Sequence, residues 1–194
     1  MKLILASQSP RRVELLGRIT TDFVAIPAQG EEQVSPGTPP RETAGLLALQ
    51  KAQEVAAEHP GALVIGSDTV VDFNGHRLGK PRDRQDARQM LQCLSGASHW
   101  VHTGCALVQG ERVERFVSST QVTFYPLTPE EIDAYLDTGE PFDKAGAYGI
   151  QGQGALLVKE IQGDYYTVVG FPLAQVARIL RQWGKISKEK NSQI

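Results

Sequence analysis

The 194-residue chain is poor in the features that mark several large classes of protein. Its two cysteines, Cys93 and Cys105, form no Cys-x-x-Cys pair, which argues against a disulfide framework and a cysteine zinc site. No apolar run approaches the roughly 18 residues that a membrane-spanning helix needs, and the apolar stretch at the N-terminus is too short for a signal peptide. We therefore expect a cytoplasmic protein without a membrane partner.

The chain also lacks an excess of basic residues. It has 20 Lys and Arg against 22 Asp and Glu, and its net charge is −2 at pH 7. Proteins that bind nucleic-acid polymers usually carry a basic excess, so we predict no such partner. A small polyanionic ligand is compatible with this balance only if a few cations converge at one place.

Several familiar site motifs are missing as well. The sequence contains no G-x-x-x-x-G-K-[ST] loop, no G-x-G-x-x-G after a strand and no H-E-x-x-H. His99 and His102 share a predicted strand but point to opposite faces because of their odd spacing. We expect neither a histidine metal site nor a Ser-His-Asp triad.

The residues that are present indicate one α/β domain over 1–184, followed by a polar tail over 185–194. A content of 41% hydrophobic and 22% charged residues is typical of a globular chain. Helical spacing and capping residues predict helices over 10–17, 41–59, 83–95, 128–137 and 172–183. Apolar runs predict strands over 2–6, 23–26, 62–71, 100–108 and 113–124, and a hairpin over 155–168 that turns at Gly163-Asp164. This pattern favours a mixed sheet flanked by helices.

Two arginines are out of place at the start of the first predicted helix. Arg11 and Arg12 follow Ser7-Gln8-Ser9-Pro10, and two cations there oppose the helix dipole at a cost of roughly 0.3–1 kcal/mol each. A bound anion reverses the effect, because free backbone N–H groups, serine hydroxyls and both guanidinium groups would then act together. The segment is therefore either a phosphate cradle or a solvated pair of arginines.

Lys51 and Asp68 are charged residues in apolar surroundings. Lys51 lies near the edge of the apolar stripe of the 41–59 helix, where it either snorkels to water or reaches into a cleft. Asp68 interrupts an apolar strand, where an ionised carboxylate is costly unless it is paired or binds a metal. Because ligands of α/β proteins gather at the carboxyl ends of strands, Asp68 is a candidate general base or metal ligand. The alternative is a capping or ion-pairing residue.

Three loop segments add weaker candidates. Lys80 stands between Gly79 and Pro81, which fix its backbone, and exposed loop lysines are common. Glu31 and Glu32 are either solvated charges, or one of them is a divalent-metal ligand. The glycines of segment 143–152 allow close backbone approach to a ligand, and the Gln151 amide can both donate to and accept from a nucleobase edge. An ordinary surface loop is the alternative for this segment.

Together these motifs resemble the Maf family of nucleotide pyrophosphatases. The matching segments occur in family order over nearly the whole chain, at 3–16, 30–32, 51–52, 66–71, 79–83, 143–152 and 169–172. The resemblance implies an elongated Maf/ITPase-like fold with two lobes and a central cleft. It also implies hydrolysis of a nucleoside triphosphate to the monophosphate and pyrophosphate, with Mg²⁺ or Mn²⁺ as cofactor.

The resemblance further implies a substrate class. Arg11, Thr69 and Gln151 match the members that act on dTTP and UTP, whereas members that act on 7-methyl-GTP carry Gln and Glu at the second and third of these positions. A Glu acceptor suits a cationic methylated guanine, while a Gln amide suits the edge of a pyrimidine.

The resemblance assigns roles to the remaining candidates. Our hypothesis is that Arg11, Arg12, Lys51 and Lys80 bind the triphosphate together with Ser7, and that Lys51 and Lys80 are catalytic residues along with Asp68. Asp68 is implied as the general base or, with Glu31, as a metal ligand; segment 28–32 departs from the family in lacking the Asp-Glu pair of many members. Two other functions stay open, namely a non-catalytic nucleotide-binding regulator of cell division and a monophosphate or sugar-phosphate hydrolase. A homodimer is also left open.

Overall fold

A computed structural model describes residues 2–186 of the chain. The strands in that range are β1 (Leu3–Ala6), β2 (Val24–Ala25), β3 (Leu63–Phe73), β4 (His76–Leu78), β5 (Ser98–Gln109), β6 (Arg112–Phe124) and β7 (Val158–Gln162). The α-helices are α1 (Pro10–Gly17), α2 (Pro40–Glu58), α3 (Arg84–Leu94), α4 (Pro129–Asp137), α5 (Tyr165–Val169) and α6 (Leu173–Gln182). Short 3₁₀ turns cover Glu140–Asp143, Ala145–Ala147 and Gly152–Leu157. Most of the predicted polar tail, residues 187–194, lies outside the described residues.

The described strands form one mixed sheet, as the sequence predicts. Its order is β2-β1-β3-β5-β6-β7, and β4 pairs with β3 beside this path. β1 runs parallel to β2 and to β3, whereas the pairs from β3 to β5, β6 and β7 are antiparallel. Among residues 2–186, no helix is long and apolar enough to cross a membrane.

Helices cover both faces of the sheet because side chains alternate along each strand. On one face, buried residues of α1 and α6 pack against Leu3, Leu5 and Ile65, while α3 and α4 pack further along the same face against Val71 and Val101. On the other face, α2 packs against the side chains between them, such as Ile4 and Val64. The two helix groups of the first face build the lobes that the resemblance implies.

A gap in the pairing of β3 creates the cleft between these lobes. β5 pairs with one edge of β3 along almost its whole length. On the other edge, β1 pairs with residues 63–66 and β4 pairs with residues 71–73, which leaves residues 67–70 between them. β1 and β4 run toward the gap from opposite sides, so the residues that follow both strands enter it. The topology thereby brings 7–12, 67–70 and 79–80 together.

α2 lies unusually close to the sheet because two glycines face it. A Cβ at Gly66 would stand 2.1 Å from the Ala48 carbonyl oxygen, and a Cβ at Gly104 would stand 2.1 Å from the Ala44 carbonyl oxygen. Both distances are far shorter than real contacts, so any side chain there would displace the helix backbone. Asp68 shares this face, since it is two residues from Gly66 and pairs with Gly104.

The predicted hairpin over 155–168 is wrong. Its first half contains β7, which pairs with β6, but its second half is the short helix α5. The Asp164 carboxylate accepts a hydrogen bond of 2.8 Å from the Thr167 N–H and caps that helix. Gly163 does turn the chain, with φ of +132°. Asp164 therefore starts a helix rather than a second strand. A Gly-Asp pair is compatible with either a hairpin turn or a helix start, so the sequence alone does not decide between them.

Replacing Gly104 by alanine should destabilise the protein. The added methyl group would meet the backbone of α2, which must shift, and overpacking of this kind costs about 1–3 kcal/mol of unfolding free energy. Urea unfolding of Gly104→Ala measures the loss. Gly17→Ala is the matched control, because a Cβ at Gly17 meets nothing within 4 Å and its φ is not positive. A Gly104→Ala protein as stable as the control would contradict the close packing of α2.

Candidate active site

A cavity of about 750 Å³ lies at the gap in the β3 edge. It is lined by most of the residues that the sequence analysis singled out as binding or catalytic, namely Ser7, Arg11, Arg12, Lys51, Asp68, Thr69, Lys80 and Gln151. These residues come from five separate segments, and the gap is where the segments meet. For Lys51, the structure decides between the two alternatives given above. Its side chain reaches into the cavity rather than along the surface of α2.

An ion-paired trio occupies one wall of the cavity. The Lys51 ammonium lies 2.5 Å from Asp68 Oδ1 and 2.8 Å from Glu32 Oε1. Burial by itself lowers the pKa of Lys51, but the charges and hydrogen bonds of Asp68 and Glu32 outweigh it and raise that pKa. The Asp68 side chain is 13% exposed, so the carboxylate stays in an apolar strand because it has a cation beside it.

Glu32, and not the predicted metal ligand Glu31, lines the cavity and shares the Lys51 ammonium group with Asp68. Both residues are exposed, but only Glu32 lines the cavity, whereas Glu31 offers its backbone carbonyl to the Gln50 amide at 2.7 Å. Burial raises the pKa of Glu32, but the hydrogen bond and charge of Lys51, with Arg77 and Lys80 nearby, lower it overall. The metal role of Glu31 stays a prediction. The Gly-Glu-Glu motif does not distinguish its two carboxylates, and only the structure places Glu32 in the cavity lining.

Arg12 is held by three partners on the opposite side of the gap. Its Nε donates to the Gly170 carbonyl at 2.9 Å, Nη1 donates to Ser7 Oγ at 3.3 Å, and Nη2 donates to Thr69 Oγ1 at 3.0 Å. Thr69 Oγ1 also lies 2.9 Å from Thr103 Oγ1. The structure therefore fixes one role of Thr69, which is to orient Arg12. Its predicted role toward the substrate stays a prediction.

Two charged residues that line the cavity, Asp143 and Lys144, were not among the predicted site residues. The Asp143 carboxylate lies 3.8 Å from Arg11 Nη1 and 2.5 Å from Lys144 Nζ, so it bridges cations of the two lobes. Lys144 lines the cavity and donates a further hydrogen bond of 2.6 Å to the Glu140 carbonyl. Both residues lie within the glycine-rich segment 143–152. They are the charged residues of that segment, and this is the sequence signal that could have identified them.

The cavity also has an apolar wall, which we call its apolar end, although the charged Glu140 and Lys144 line the cavity as well. Val71, Val101 and Tyr148 line it from one lobe, and Gln151 projects from the glycine-rich segment beside them. Tyr148 is held from behind by the buried His99, whose Nε2 lies 2.7 Å from the Tyr148 hydroxyl. A pocket with apolar walls and one amide is suited to a flat ring with a polar edge.

A Ser-His-Asp grouping, which the sequence analysis did not expect, occurs on the sheet away from the cavity. His102 Nδ1 lies 2.8 Å from Ser119 Oγ, and His102 Nε2 lies 3.3 Å from Asp72 Oδ2. These residues belong to neighbouring strands, and among the described residues none of the three lines the cavity. We interpret the grouping as a polar contact of the sheet rather than as a catalytic triad.

The long mixed sheet, the two lobes and the cationic cavity define a class, namely α/β proteins with a cleft suited to a phosphorylated ligand. The chain belongs to the Maf family, because the family model described as "Maf-like protein" matches residues 2–183.

Two relatives and one solved structure illustrate the similarity. The chain is 53% identical to a protein of Halalkalibacterium halodurans over 94% of this chain and 96% of the relative. It is 52% identical to a protein of Carboxydothermus hydrogenoformans over 95% of this chain and 100% of the relative. Both relatives are named dTTP/UTP pyrophosphatase. The solved Ham1 protein of Staphylococcus aureus matches with a TM-score of 0.56 at 13% identity, over 94% of this chain and 100% of that chain, which shows a shared fold.

His99 should make stability depend on pH below neutrality. Burial lowers its pKa from 6.5 to about 4, so the unfolded chain takes up a proton below about 6.5 while the folded chain does not until about 4. The unfolding free energy should therefore fall by about 2 kcal/mol between about pH 7 and pH 5 from this residue alone. Urea unfolding of wild type and His99→Phe at both pH values measures the contribution.

His99→Phe should be less stable at neutral pH, because the Tyr148 hydroxyl loses its partner, but its stability should fall less toward pH 5. The exposed His76, replaced by Gln, controls for the loss of one histidine. An equal fall in His99→Phe and wild type would rule out the buried neutral His99.

Proposed function

We propose that the protein hydrolyses dTTP and UTP to the nucleoside monophosphate and pyrophosphate. The observation that carries the proposal is the convergence of Arg11, Arg12, Lys51 and Lys80 on one cavity that also contains Asp68. Relatives at 52–53% identity that are named dTTP/UTP pyrophosphatase support the same reaction. No contact among the described residues favours a non-catalytic regulator.

The phosphate end of the cavity provides charge and directed donors. Arg11 and Arg12 approach from the start of α1, and Lys80 approaches from the end of β4. Arg12 is already oriented by its three hydrogen bonds, so little side-chain freedom is lost when phosphate binds. The Asp143 carboxylate lies 3.8 Å from Arg11 Nη1, and a phosphate group would compete for the same guanidinium group.

The reaction is a displacement at the α-phosphorus. Water attacks this phosphorus, and the bond between the α-phosphorus and the oxygen that bridges it to the β-phosphate breaks. Pyrophosphate leaves with the electron pair of that bond as negative charge on the oxygen. Asp68 accepts the proton of the attacking water in this scheme. Its Oδ1 is bound to Lys51, which orients the carboxylate and adds positive charge where negative charge develops on the phosphate oxygens.

We also propose Mg²⁺ or Mn²⁺ as cofactor. Glu32 and Asp68 both contact the same ammonium group, and Mg²⁺ is usually bound by one or two carboxylates together with substrate phosphates. These two carboxylates would hold the ion when it is bound, since within residues 2–186 no cluster of three or more His, Cys, Asp or Glu could hold a metal by itself. When bound, the ion would neutralise charge on the phosphate oxygens. Asp68 as ligand and Asp68 as base are competing roles.

Substrate choice is proposed to lie at the apolar end of the cavity. The Gln151 amide can pair with the carbonyl and N–H groups on the edge of thymine or uracil. Modified pyrimidine nucleotides present a similar edge and belong to the same proposed class. We further propose a cytoplasmic location, which the two free cysteines support. A homodimer stays a prediction.

The proposed reaction is tested by its product. Each of a panel of nucleoside triphosphates is incubated with the protein and Mg²⁺ or Mn²⁺, and pyrophosphate and orthophosphate are assayed separately. We expect pyrophosphate to be released faster from dTTP and UTP than from the other nucleotides, and no turnover when a metal chelator is present. Orthophosphate as the product would indicate the monophosphate hydrolase instead, and binding without any product would indicate the regulator.

Asp68→Asn should abolish turnover and leave nucleotide binding largely intact. The amide keeps the shape of the carboxylate but cannot take a proton, and loss of a general base lowers kcat about 10²- to 10⁴-fold. The measurements are pyrophosphate release and calorimetric binding of dTTP. Asp72→Asn, on the same strand but outside the cavity lining, is the matched control. Full activity of Asp68→Asn would remove Asp68 from the mechanism.

Gln151→Glu should change the substrate ranking. A carboxylate only accepts hydrogen bonds, so it repels the carbonyl groups of thymine and uracil and favours a cationic methylated guanine. We expect kcat/KM for dTTP and UTP to fall more than that for 7-methyl-GTP, by about tenfold or more in the ratio. Steady-state kinetics with the three nucleotides measures the ratio. The same ranking in variant and wild type would rule out base reading by Gln151.

A further inference from the structure

The loop that carries Gln151 is attached to a single carboxylate from the neighbouring 3₁₀ turn. Glu140 Oε1 accepts a hydrogen bond of 3.1 Å from the Gln153 N–H, and Glu140 Oε2 lies 3.4 Å from the Gly154 N–H. The loop wraps closely around this carboxylate, since a Cβ at Gly152 would stand 2.6 Å from Oε1. Gly152 has φ of +63°, a conformation that glycine adopts without strain.

Tyr135 of α4 provides a second attachment, at the start of the loop. Its hydroxyl accepts a hydrogen bond of 3.1 Å from the Gly149 N–H. Burial, together with the negative charge of Glu140, raises the pKa of Tyr135 to about 12, so the hydroxyl keeps its proton. Residues 149–154 are therefore fastened at both ends, with Gln151 between the two attachments.

The two oxygens of Glu140 are engaged by backbone N–H groups, although Glu140 lines the cavity. A carboxylate that accepts two such bonds stabilises one loop conformation and offers less to a ligand. The cations proposed to bind phosphate (Arg11, Arg12, Lys51 and Lys80) and Asp68 stand on other segments than this loop.

We propose that Glu140 is a positioning residue for substrate selection, which fixes the loop that presents Gln151 to the nucleobase. The inference rests on the proposed function, in which Gln151 reads the base. It separates selection from chemistry within one cavity: the glycine-rich loop sets which nucleotide fits, and the cations and Asp68 act on whichever triphosphate is bound.

Glu140→Gln tests this role with almost no change of shape. The amide places an NH₂ group opposite one backbone N–H, so one attachment is lost and the two donors repel. We expect KM for dTTP and UTP to rise about tenfold, kcat to stay within about threefold, and KM for GTP to change little, so that the ranking flattens. Asp137→Asn, a change of equal charge at an exposed position of α4, should leave all three nucleotides unaffected.

A second measurement does not depend on any nucleotide. Amide hydrogen exchange at Gln153 and Gly154 should speed up about tenfold in Glu140→Gln and stay unchanged in Asp137→Asn. Tyr135→Phe, which removes only the hydroxyl, should speed exchange at Gly149 and shift the ranking in the same direction by a smaller factor. This variant keeps the test available if Glu140→Gln does not fold.

Three outcomes would overturn the inference. The first is unchanged hydrogen exchange at the Gln153 and Gly154 amides in Glu140→Gln. The second is faster exchange at these amides with the same ranking of the nucleotides as in wild type. The third is an equal loss of kcat for every nucleotide, which would place Glu140 in the chemical step. Failure of the proposed function looks different, because wild type would then release no pyrophosphate from dTTP or UTP while the exchange measurement still reports whether Glu140 holds the loop.

Discussion

The close packing of α2 on the sheet is the constraint on which the rest of the site depends. Two glycines, Gly66 and Gly104, let the helix backbone approach the strands within a distance that no side chain would allow. This approach brings Lys51 to 2.5 Å from Asp68. A carboxylate in an apolar strand and a lysine on an apolar helix stripe would each be unfavourable alone, and the packing makes each the partner of the other.

The gap in the β3 edge is the second feature on which the site depends. β1 and β4 pair with different parts of the same edge and run toward each other, so the residues that follow them converge without any long loop. Arg12 and Asp68 reach the gap from opposite faces of the sheet, since Thr69 and Asp68 are adjacent residues of one strand. A cleft between two lobes is thus a consequence of strand pairing, not of a hinge between separate domains.

Three of the cations that line the cavity, Arg11, Lys51 and Lys144, are paired with carboxylates. Glu32 and Asp68 neutralise Lys51, and Asp143 bridges Arg11 and Lys144. Such pairing explains how a chain with a net charge of −2 holds several cations close together without strong repulsion. It also means that an anionic ligand exchanges one set of ion pairs for another, so its affinity depends on the difference between them.

The sequence by itself determined the mixed α/β class and most strand and helix positions, because periodicity and capping are local signals. Out-of-place charges and the family resemblance named nine candidate site residues, and eight of them line the cavity. The tertiary structure decided the rest. It placed Glu32 in the cavity lining, replaced the predicted second strand of a hairpin by α5, and brought Glu140, Asp143 and Lys144 to the cavity. These choices depend on which backbone groups and charges meet across the gap, and residues far apart in the chain meet only once the sheet has formed.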